Sequence, residues 1–373
     1  MQKVIPLVNA SVEGKRVLLR TSLNVPLSPS GKVVDMFRLK AAIPTIEWLS
    51  QQGARTIVIA HLGEGGASLK GVVETLATLT KTPIRFFGGT LEQTKTEEVK
   101  QGECIVLENI RNYEGEKIND PVFSKTLSEL ADLYVDDAFA DAHRAHASIV
   151  GVPTFLPSYA GLLMMQEIEH LTPALTPPPH AVAIVGGAKF ETKEPLITTL
   201  LSQYETLLLG GALANDVLKA RGLPIGVSSI SNSSIPVSIT GNDRVLVPTD
   251  GVLVDELHHR HRKGGIHDVR KDEKIIDIGP NTANAWKEII FHSPFVIWNG
   301  PMGVYEQGFI AGTDALAEAI ANSHATAVVG GGDTLAALQK FSFDTKKVFL
   351  STGGGAMLQF LSSGTLFGIE ALV

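Results

Sequence analysis

Cysteine is nearly absent from the sequence, since Cys104 is the only one among 373 residues. A single cysteine excludes an internal disulfide, and its place in the apolar run 104–107 predicts a buried thiol. Long apolar runs are also absent, because no stretch approaches the roughly 18 residues that a membrane span requires. The N-terminal residues carry no apolar signal segment. We therefore expect a cytoplasmic protein that has no membrane partner.

Positive charge is not in excess. Charged residues make up 19% of the chain, hydrophobic residues 44%, and the net charge is −7. This composition excludes a disordered chain and lacks the basic balance typical of duplex-binding proteins, so we expect no nucleic-acid partner. The chain is longer than the roughly 250–300 residues at which single cores stop growing, which favours two domains.

Two common nucleotide-binding fingerprints are missing as well. No G-x-G-x-x-G segment opens a predicted helix, and no G-x-x-x-x-G-K-[S/T] segment occurs. The first absence makes a nicotinamide-dependent oxidoreductase a distant alternative. The second means that any nucleotide must be held without a P-loop.

What the sequence does contain is an alternation of short apolar runs with amphipathic stretches. Continuous apolar strands separated by helices predict parallel sheets covered on both faces, which is an α/β fold. We predict a helix over 39–52 that ends at Gly53, and a second over 159–171 that is followed by a proline cluster and marks a domain junction. The predicted strands lie at 17–19, 56–60, 105–107 and 133–135 in the first half, and at 181–185, 206–209, 244–247, 295–298, 327–329 and 348–350 in the second.

Glycine clusters follow several strands of the second half, at 186–187, 210–211, 330–332 and 353–355. Glycine lets backbone amides approach a ligand at the carboxyl edge of a parallel sheet, so four such loops predict a nucleotide cleft. The alternative is that the glycines only tighten strand-to-helix turns. Lys189 and Lys193 lie four residues apart beyond the first cluster, where two ammonium groups suit phosphoryl transfer, although a solvated basic face is the alternative. Asp333 is either the N-cap of a helix or a carboxylate for Mg²⁺.

Polar side chains follow the strands of the first half. Several guanidinium groups around one cleft would suit a ligand that bears both a carboxylate and a phosphate, whereas any one arginine alone could be a solvated surface group. Zinc ligation by His143 and His146 lacks matching cysteine or carboxylate spacing, and a histidine-rich loop at 258–267 is better explained as solvated. The residues that we place at this edge are Arg20, Asn24, Arg38, His61, Arg111, His143, Arg144 and His146.

These segments resemble the phosphoglycerate kinase family along nearly the whole chain. The matching motifs are RTSLNVP at 20–26, LENIR at 107–111, DAFADAHRAHAS at 137–148, GGAK at 186–189, WNGPMGVYE at 298–306, GGGDT at 330–334 and STGGGA at 351–356. The resemblance implies two Rossmann-like α/β/α lobes joined by a hinge helix. It assigns 1–157, completed by 356–373, to phosphoglycerate binding, 158–172 to the helix and 173–355 to nucleotide binding.

The resemblance also implies an ATP-dependent phosphoglycerate kinase of glycolysis, monomeric, with Mg²⁺ as cofactor. It implies hinge closure around the junction helix, in which Glu167 matches a hinge position. The implied catalytic residues are Arg38, Lys193, Gly332 and Gly355. The implied substrate-binding residues are Ser22, Asn24, Arg38, His61, Arg111 and Arg144. The implied nucleotide-binding residues are Gly187, Ala188, Lys189, Lys193, Gly210, Gly211, Asn299, Pro301, Glu306, Gly331, Gly332, Asp333 and Thr334, with Asp333 on the metal.

Three positions depart from the family pattern. The family usually has aspartate where this chain has Ser22, arginine where it has Glu64, and aspartate where it has Thr192. Glu64 would repel an anionic substrate if it faced the cleft, whereas the effect would be small if it turned to solvent or paired with a nearby arginine. Ser22 and Glu64 support an alternative hypothesis, a nucleotide-binding member of the fold that is non-catalytic or redirected.

Overall fold

Short apolar runs form the strands of two parallel six-stranded sheets, each in its own part of the chain. The computed structural model describes residues 4–188, 190–231, 233–255, 257 and 260–373. The chain divides into two compact units, Met1–Glu169 with Thr365–Val373, and His170–Gly364. The α/β fold predicted from the sequence is confirmed. The functional roles predicted for the segments on either side of residues 157, 172 and 355 stay predictions.

The sheet of the first unit has the strand order β3-β4-β2-β1-β5-β6, and all its pairs are parallel. The strands β1 and β5 are adjacent, with Leu19 opposite Val135. Both strands are buried on both faces, which explains why residues 17–19 and 133–135 form continuous apolar runs without alternation. The strand bounds are β1 Arg16–Thr21, β2 Arg55–Ile59, β3 Ile84–Phe87, β4 Cys104–Leu107, β5 Leu133–Asp137 and β6 Ser158–Ala160.

Helices cover this sheet and carry the chain from one strand to the next. Leu39, Ile46 and Leu49 of the first helix are completely buried against it. By the measured cost of truncating buried leucines, replacing one of them with alanine costs about 2–5 kcal/mol. The helix bounds are α1 Phe37–Gln51, α2 Lys70–Ala77, α3 Glu114–Lys117, α4 Pro121–Ser128 and α5 Leu162–Leu171, and α5 contains the boundary between the units.

The sheet of the second unit has the strand order β15-β14-β13-β7-β8-β9, again with parallel pairs. Trp298 in its centre is fully buried, and its indole N–H donates to the Gly300 carbonyl over 2.8 Å. The strand bounds are β7 Val182–Val185, β8 Thr206–Leu209, β9 Val245–Leu246, β13 Phe295–Asn299, β14 Thr326–Gly330 and β15 Val348–Ser351.

A three-stranded antiparallel sheet also belongs to the second unit, and it was not predicted from the sequence. Its order is β11-β10-β12, with bounds β10 Asp250–Asp255, β11 His261–Gly265 and β12 Glu273–Ile278. The helices of this unit are α6 Phe190–Gln203, α7 Gly211–Ala220, α8 Val237–Thr240, α9 Pro280–His292, α10 Ala311–Asn322, α11 Gly332–Leu338 and α12 Gly355–Ser363. A short helix, α13 Phe367–Glu370, belongs to the first unit.

Every strand predicted in the second half pairs within the six-stranded sheet, so that prediction is confirmed. The helix predicted from residue 159 is wrong at its start, because Tyr159 and Ala160 pair with β5 and the helix begins at Leu162. Within the described residues, no helix combines the length and apolarity that crossing a bilayer would require.

Cys104 is the first residue of β4, the strand beside the edge strand β3, and is 1% exposed. Burial raises the pKa of its thiol to about 12. The thiol is therefore un-ionised at neutral pH, and the prediction of a buried structural cysteine is confirmed.

Asp136, the penultimate residue of β5, carries a fully buried carboxyl, and it supplies a first testable prediction. Burial raises its pKa to about 7, although its Oδ1 accepts a hydrogen bond from the Ala138 N–H. Because the folded protein then binds a proton that the unfolded chain has released, this group weakens stability as pH rises from about 4 to about 7. Asp136→Asn removes the titration, so the variant should gain at least about 1 kcal/mol relative to wild type between pH 4 and pH 8.

Urea unfolding of both proteins at several pH values measures this difference. A stability difference that stays constant across that range would contradict the assignment of the raised pKa to Asp136. Asp132→Asn is the control, since the Arg16 partner lowers the pKa of this surface carboxyl. Its removal should change the pH dependence of the free energy of unfolding in the opposite sense.

Candidate functional site

Three loops of the second unit meet at the carboxyl ends of β7, β8 and β13. The Gly186 N–H donates to the Asn299 carbonyl over 2.8 Å, and the Gly187 N–H donates to the Pro301 carbonyl over 3.2 Å. The Gly211 N–H donates to the Met302 carbonyl over 3.1 Å. These hydrogen bonds join the loops into one rigid floor.

The glycines of this floor are required by contacts between the loops. A Cβ atom at Gly186 would overlap the Pro301 carbonyl oxygen, and one at Gly210 would overlap the Met302 sulfur. Gly211 has a φ of 63°, and a Cβ there would lie 2.7 Å from the Gly187 nitrogen. At Gly186, Gly210 and Gly211 the loops pack too closely for a side chain, which fits the alternative that glycine tightens the turns. An added Cβ at Gly332 or Gly355 meets nothing within 4 Å, so at these two positions there is open space beside the backbone.

Lys193 reaches back from the first turn of α6 to this floor. Its ammonium donates to the Gly186 carbonyl over 2.6 Å and to the Asn299 Oδ1 over 3.0 Å. Burial lowers the pKa of Lys193 to about 8, against the opposing influence of the Asp333 carboxylate. The ammonium is therefore charged at neutral pH and held in a defined position, so the solvated-face alternative is wrong for Lys193. Lys189 lies outside the described residues.

Asn299 and the start of α11 complete the polar side of the site. The Asn299 Nδ2 is buried without a hydrogen-bond acceptor in the described part of the chain. The buried Thr334 hydroxyl accepts the Gly300 N–H over 2.9 Å. The N-cap position of α11 is Gly331, so the N-cap alternative for Asp333 is wrong. Asp333 is an exposed carboxylate in the first turn of the helix.

A cavity of about 320 Å³ opens beside these groups within the second unit. This volume lies at the lower end of the range for small-molecule sites, and its walls combine aliphatic side chains with a few polar groups. Asp277 lies against it as a buried carboxylate that accepts the Ile278 and Gly312 N–H groups. The predicted residues that line the cavity are Gly187, Ala188, Gly211, Pro301, Glu306 and Asp333.

The first unit gathers a separate basic cluster at the carboxyl ends of its strands. Arg20, which is 1% exposed, donates from Nε to the Ser148 hydroxyl over 3.0 Å and from Nη2 to the Asp141 Oδ2 over 3.2 Å. Its Nη1 donates to the Thr21 carbonyl. Arg20 is therefore fully engaged inside the protein and organises the cluster.

His61 is neutral in this cluster, and its tautomer follows from its neighbours. Burial lowers the pKa of His61 to about 3 despite the nearby Asp141 carboxylate. Arg20 Nη2 lies 3.2 Å from His61 Nδ1, and because a guanidinium can only donate, Nδ1 accepts. The ring proton is then on Nε2, a buried atom without a partner among the described residues. His61 thus offers one N–H donor to a ligand.

Arg111 contributes further donors. Its Nη1 donates to the Gly63 carbonyl, while its Nε and Nη2 are buried without acceptors in the described structure. Asn109 holds the surrounding loops, since its amide donates to the Leu62 and Ala67 carbonyls and its oxygen accepts the Leu62 N–H. Buried donors without protein acceptors cost free energy unless a ligand or water accepts them, so these atoms are available to an acceptor that binds there.

Glu64 does not present an unpaired negative charge, because two cations pair with its carboxylate. Its carboxylate lies 3.1 Å from Arg111 Nη1 and 2.9 Å from Lys117 Nζ, and its side chain is 80% exposed. The hydrogen bond from Lys117, followed by the charge of Arg111, lowers the pKa of Glu64. The favourable alternative, pairing with an arginine at the solvent edge, therefore holds.

The remaining predicted residues of the first unit lie around the same edge. Arg38 donates to the Asn24 carbonyl over 2.7 Å, and the Asn24 Oδ1 accepts the Gly63 N–H. Arg144 is half-buried beside His143, with 3.4 Å between Nε and Nε2. The described residues contain no group of three or more histidine, cysteine or acidic side chains arranged to hold a metal, and His258 and His259 lie outside the described residues.

Several residues that shape these sites were not identified from the sequence as site residues. Asp141, Asn109 and Lys117 act in the first unit, and Asp277 lines the cavity of the second. Asn109 and Asp141 occur inside the motifs after β4 and β5, which is the only sequence signal that could have found them. Lys117 and Asp277 carry no such signal.

Comparisons with known proteins give one consistent result. The family model described as phosphoglycerate kinase matches residues 7–364. Curated phosphoglycerate kinases from Maricaulis maris and Dictyoglomus turgidum are 38% and 39% identical to the chain and cover 100% and 99% of it, each over 98% of its own length. The solved structure of phosphoglycerate kinase from Coxiella burnetii is 37% identical with a TM-score of 0.85, covering 99% of this chain and 98% of its own. The Pyrococcus horikoshii structure is 29% identical with a TM-score of 0.86 at the same coverage.

Proposed function

The chain belongs to the phosphoglycerate kinase family, and we propose that it catalyses the reversible reaction of 1,3-bisphosphoglycerate with ADP to give 3-phosphoglycerate and ATP in glycolysis. The observation that carries this proposal is Lys193, whose ammonium is fixed between Gly186 and Asn299 beside the cavity of the second unit. Charge neutralisation and positioning are what phosphoryl transfer requires from a protein.

The nucleotide is proposed to bind in the cavity of the second unit. Its base would lie on the floor formed by Gly210 and Gly211, and its ribose would reach the exposed carboxylate of Glu306. The unpartnered Nδ2 of Asn299 supports a phosphate contact, because a phosphate oxygen would supply the missing acceptor. The other proposed nucleotide contacts are Gly187, Ala188, Lys189, Lys193, Pro301, Gly331, Gly332, Asp333 and Thr334.

Mg²⁺ is proposed to accompany the nucleotide at Asp333. The donor chemistry fits, because this carboxylate is exposed, lines the cavity and accepts no hydrogen bond among the described residues. Magnesium typically takes one or two carboxylates together with phosphate oxygens and water. When bound, the ion would neutralise charge on the nucleotide phosphates.

The phosphoglycerate is proposed to bind at the basic cluster of the first unit. The Nε2–H of His61 and the free donors of Arg111 suit its anionic groups, and the other proposed contacts are Ser22, Asn24, Arg38 and Arg144. Guanidinium groups bind carboxylate and phosphate through paired hydrogen bonds, which favours this class of ligand.

In the direction of ATP formation, an oxygen of the ADP β-phosphate attacks the acyl phosphate of 1,3-bisphosphoglycerate. The bond from phosphorus to the carboxyl oxygen breaks, and the carboxylate of 3-phosphoglycerate leaves with the electron pair. No proton has to move, so the protein's contribution is electrostatic. Lys193 and Arg38 would neutralise the transferring group, and the backbones at Gly332 and Gly355, which have open space beside them, could approach it.

The remaining attributes are proposed on the same basis. A glycolytic enzyme acting on small soluble metabolites would work in the cytoplasm, and we propose a monomer, since each unit carries its own ligand groups. The non-catalytic alternative gains no support, because Glu64 is paired with cations and Ser22 is hydrogen-bonded within the cluster.

Turnover with MgATP and 3-phosphoglycerate, coupled to NADH oxidation through glyceraldehyde-3-phosphate dehydrogenase, tests the proposal. We expect a kcat in the 1–1,000 s⁻¹ range common to enzymes. Protein that binds ADP but gives no turnover would refute the kinase proposal and revive the binding-module alternative.

Glu64 allows a separate prediction about substrate affinity. Its carboxylate pairs with two cations that an anionic substrate would also use, so Glu64→Gln should lower the KM for 3-phosphoglycerate about threefold and leave the KM for ATP unchanged. The stability change should stay below about 1 kcal/mol, because the Glu64 carboxylate itself is exposed to solvent. Glu97→Gln is the matched control. Glu97 is also an exposed acid paired with an arginine, Arg16, and neither residue is a proposed substrate contact. A KM that rises in Glu64→Gln would contradict the competition.

A further inference from the structure

Ser22 and Asp141 form a buried pair at the centre of the first unit's cluster. Their residues are 3% and 4% exposed, and the Ser22 hydroxyl donates to the Asp141 Oδ2 over 3.1 Å. Arg20 Nη2 donates to the same oxygen, and His61 Nδ1 lies 3.4 Å from it. One carboxylate oxygen therefore contacts three polar groups of this cluster.

The Asp141 carboxylate is ionised. Burial opposes its ionisation, but Arg20, the hydrogen bond from Ser22 and the other cationic neighbours together outweigh burial and hold the pKa of Asp141 below its usual value. An ionised carboxylate can only accept hydrogen bonds, so the single proton of Ser22 is committed to it. The oxygen lone pairs of Ser22 are what remain for a ligand.

The cluster consequently has a fixed hydrogen-bond polarity. His61 and Arg111 present only N–H donors, which suit anionic groups. Ser22 presents an acceptor, which suits a ligand hydroxyl. A small acid that carries phosphate, carboxylate and a hydroxyl group matches this arrangement, whereas the same acid without the hydroxyl leaves the Ser22 acceptor unused.

We propose that Asp141 is a positioning residue that orients Ser22 as an acceptor for the hydroxyl group of the acid substrate, an inference that rests on the proposed function. Asp141 thereby supplies the carboxylate that the family usually has at the position of Ser22, in the loop after β1. Because the two side chains are in hydrogen-bond contact, exchanging them keeps one carboxylate and one hydroxyl in the same buried space.

The test uses calorimetry on the full-length protein to compare two ligands. They are 3-phosphoglycerate and 3-(phosphooxy)propanoate, the same phosphate ester without the hydroxyl. Wild type should prefer 3-phosphoglycerate at least tenfold, because a site built to bond a hydroxyl rejects the analogue without it. In Asp141→Asn and in Ser22→Ala the preference should fall below about threefold. A purely structural role of Asp141 would weaken both ligands equally and leave the preference intact, which would overturn the proposal.

The exchange variant gives the second measurement. Ser22→Asp alone adds a second carboxylate beside Asp141, and Asp141→Ser alone removes the anion that Arg20 contacts, so each should raise the KM for 3-phosphoglycerate at least tenfold. The variant with both changes should return to within about threefold of wild type. A double variant that folds and is as impaired as the worse single variant would overturn the proposal. If it does not fold, the binding preference of Asp141→Asn decides.

Asp136→Asn is the matched control, because it removes an equally buried carboxyl, on the penultimate residue of β5, whose Oδ1 accepts a backbone N–H. Its ligand preference should equal that of wild type, and a lost preference there would overturn the specific role of Asp141. The outcomes separate the two proposals. Wild type that binds 3-phosphoglycerate with the expected preference but shows no turnover contradicts the kinase alone. Normal turnover with an unchanged preference in Asp141→Asn contradicts the positioning role alone.

Discussion

Lys193→Ala should lower kcat about a thousandfold while the protein remains folded. Removing one preorganised donor from a charged transition state costs about 10²–10³ in rate, and Lys193 contributes a full charge besides its hydrogen bonds. The loss should appear in kcat with both substrates saturating. The coupled assay measures it, and Lys219→Ala, which removes an exposed lysine from α7 of the same unit, is the control.

The pH profile provides an independent check on Lys193. Since its pKa is lowered to about 8, the free enzyme loses the charge as pH rises above that value. The kcat/KM for nucleotide should therefore decline above about pH 8, because this ratio reports ionisations of the free enzyme. A variant that keeps more than a tenth of the wild-type kcat, or a wild-type profile that stays flat to pH 10, would contradict the role given to this ammonium.

Arg111→Lys should raise the KM for 3-phosphoglycerate by roughly 10- to 150-fold, which corresponds to about 1.5–3 kcal/mol for hydrogen bonds to a charged group. The substitution keeps the charge but removes the planar fork whose Nε and Nη2 have no acceptor in the described structure. The KM for ATP should not change, since the groups proposed to bind the nucleotide belong to the other unit.

Arg85→Lys is the control for this comparison, because Arg85 forms a partly exposed ion pair with Glu103 in the same unit. Steady-state kinetics and calorimetric binding of 3-phosphoglycerate give the two readouts. An Arg111→Lys variant with the wild-type KM would mean that the buried donors face water, not substrate.

The sequence was sufficient to predict the central strands of both sheets, because burial on both faces makes a strand such as Phe295–Asn299 a continuous apolar run. It did not reveal the edges. The strand Ile84–Phe87 includes an exposed arginine, and Ser158–Ala160 is too short to have a period of its own. The antiparallel strand His261–Gly265 is polar and glycine-rich, so it resembles a loop.

The candidate sites divide in the same way. Residues directly after strands, such as His61 and Arg111, were predictable because parallel strands bring their carboxyl ends to one edge. Which partner each side chain contacts was not predictable. Glu64 meets Lys117 across 53 positions, and Ser22 meets Asp141 across 119, and neither pairing leaves a trace in local sequence.

The buried thiol of Cys104 makes this protein convenient for fluorescence work. With its pKa raised to about 12 and 1% of its surface exposed, the native thiol should not react with maleimide dyes while the first sheet is intact. New cysteines placed on the surface of either unit can thus be labelled selectively without removing the natural one. The same thiol becomes reactive when its sheet opens, so the rate of its modification measures how often the first unit unfolds.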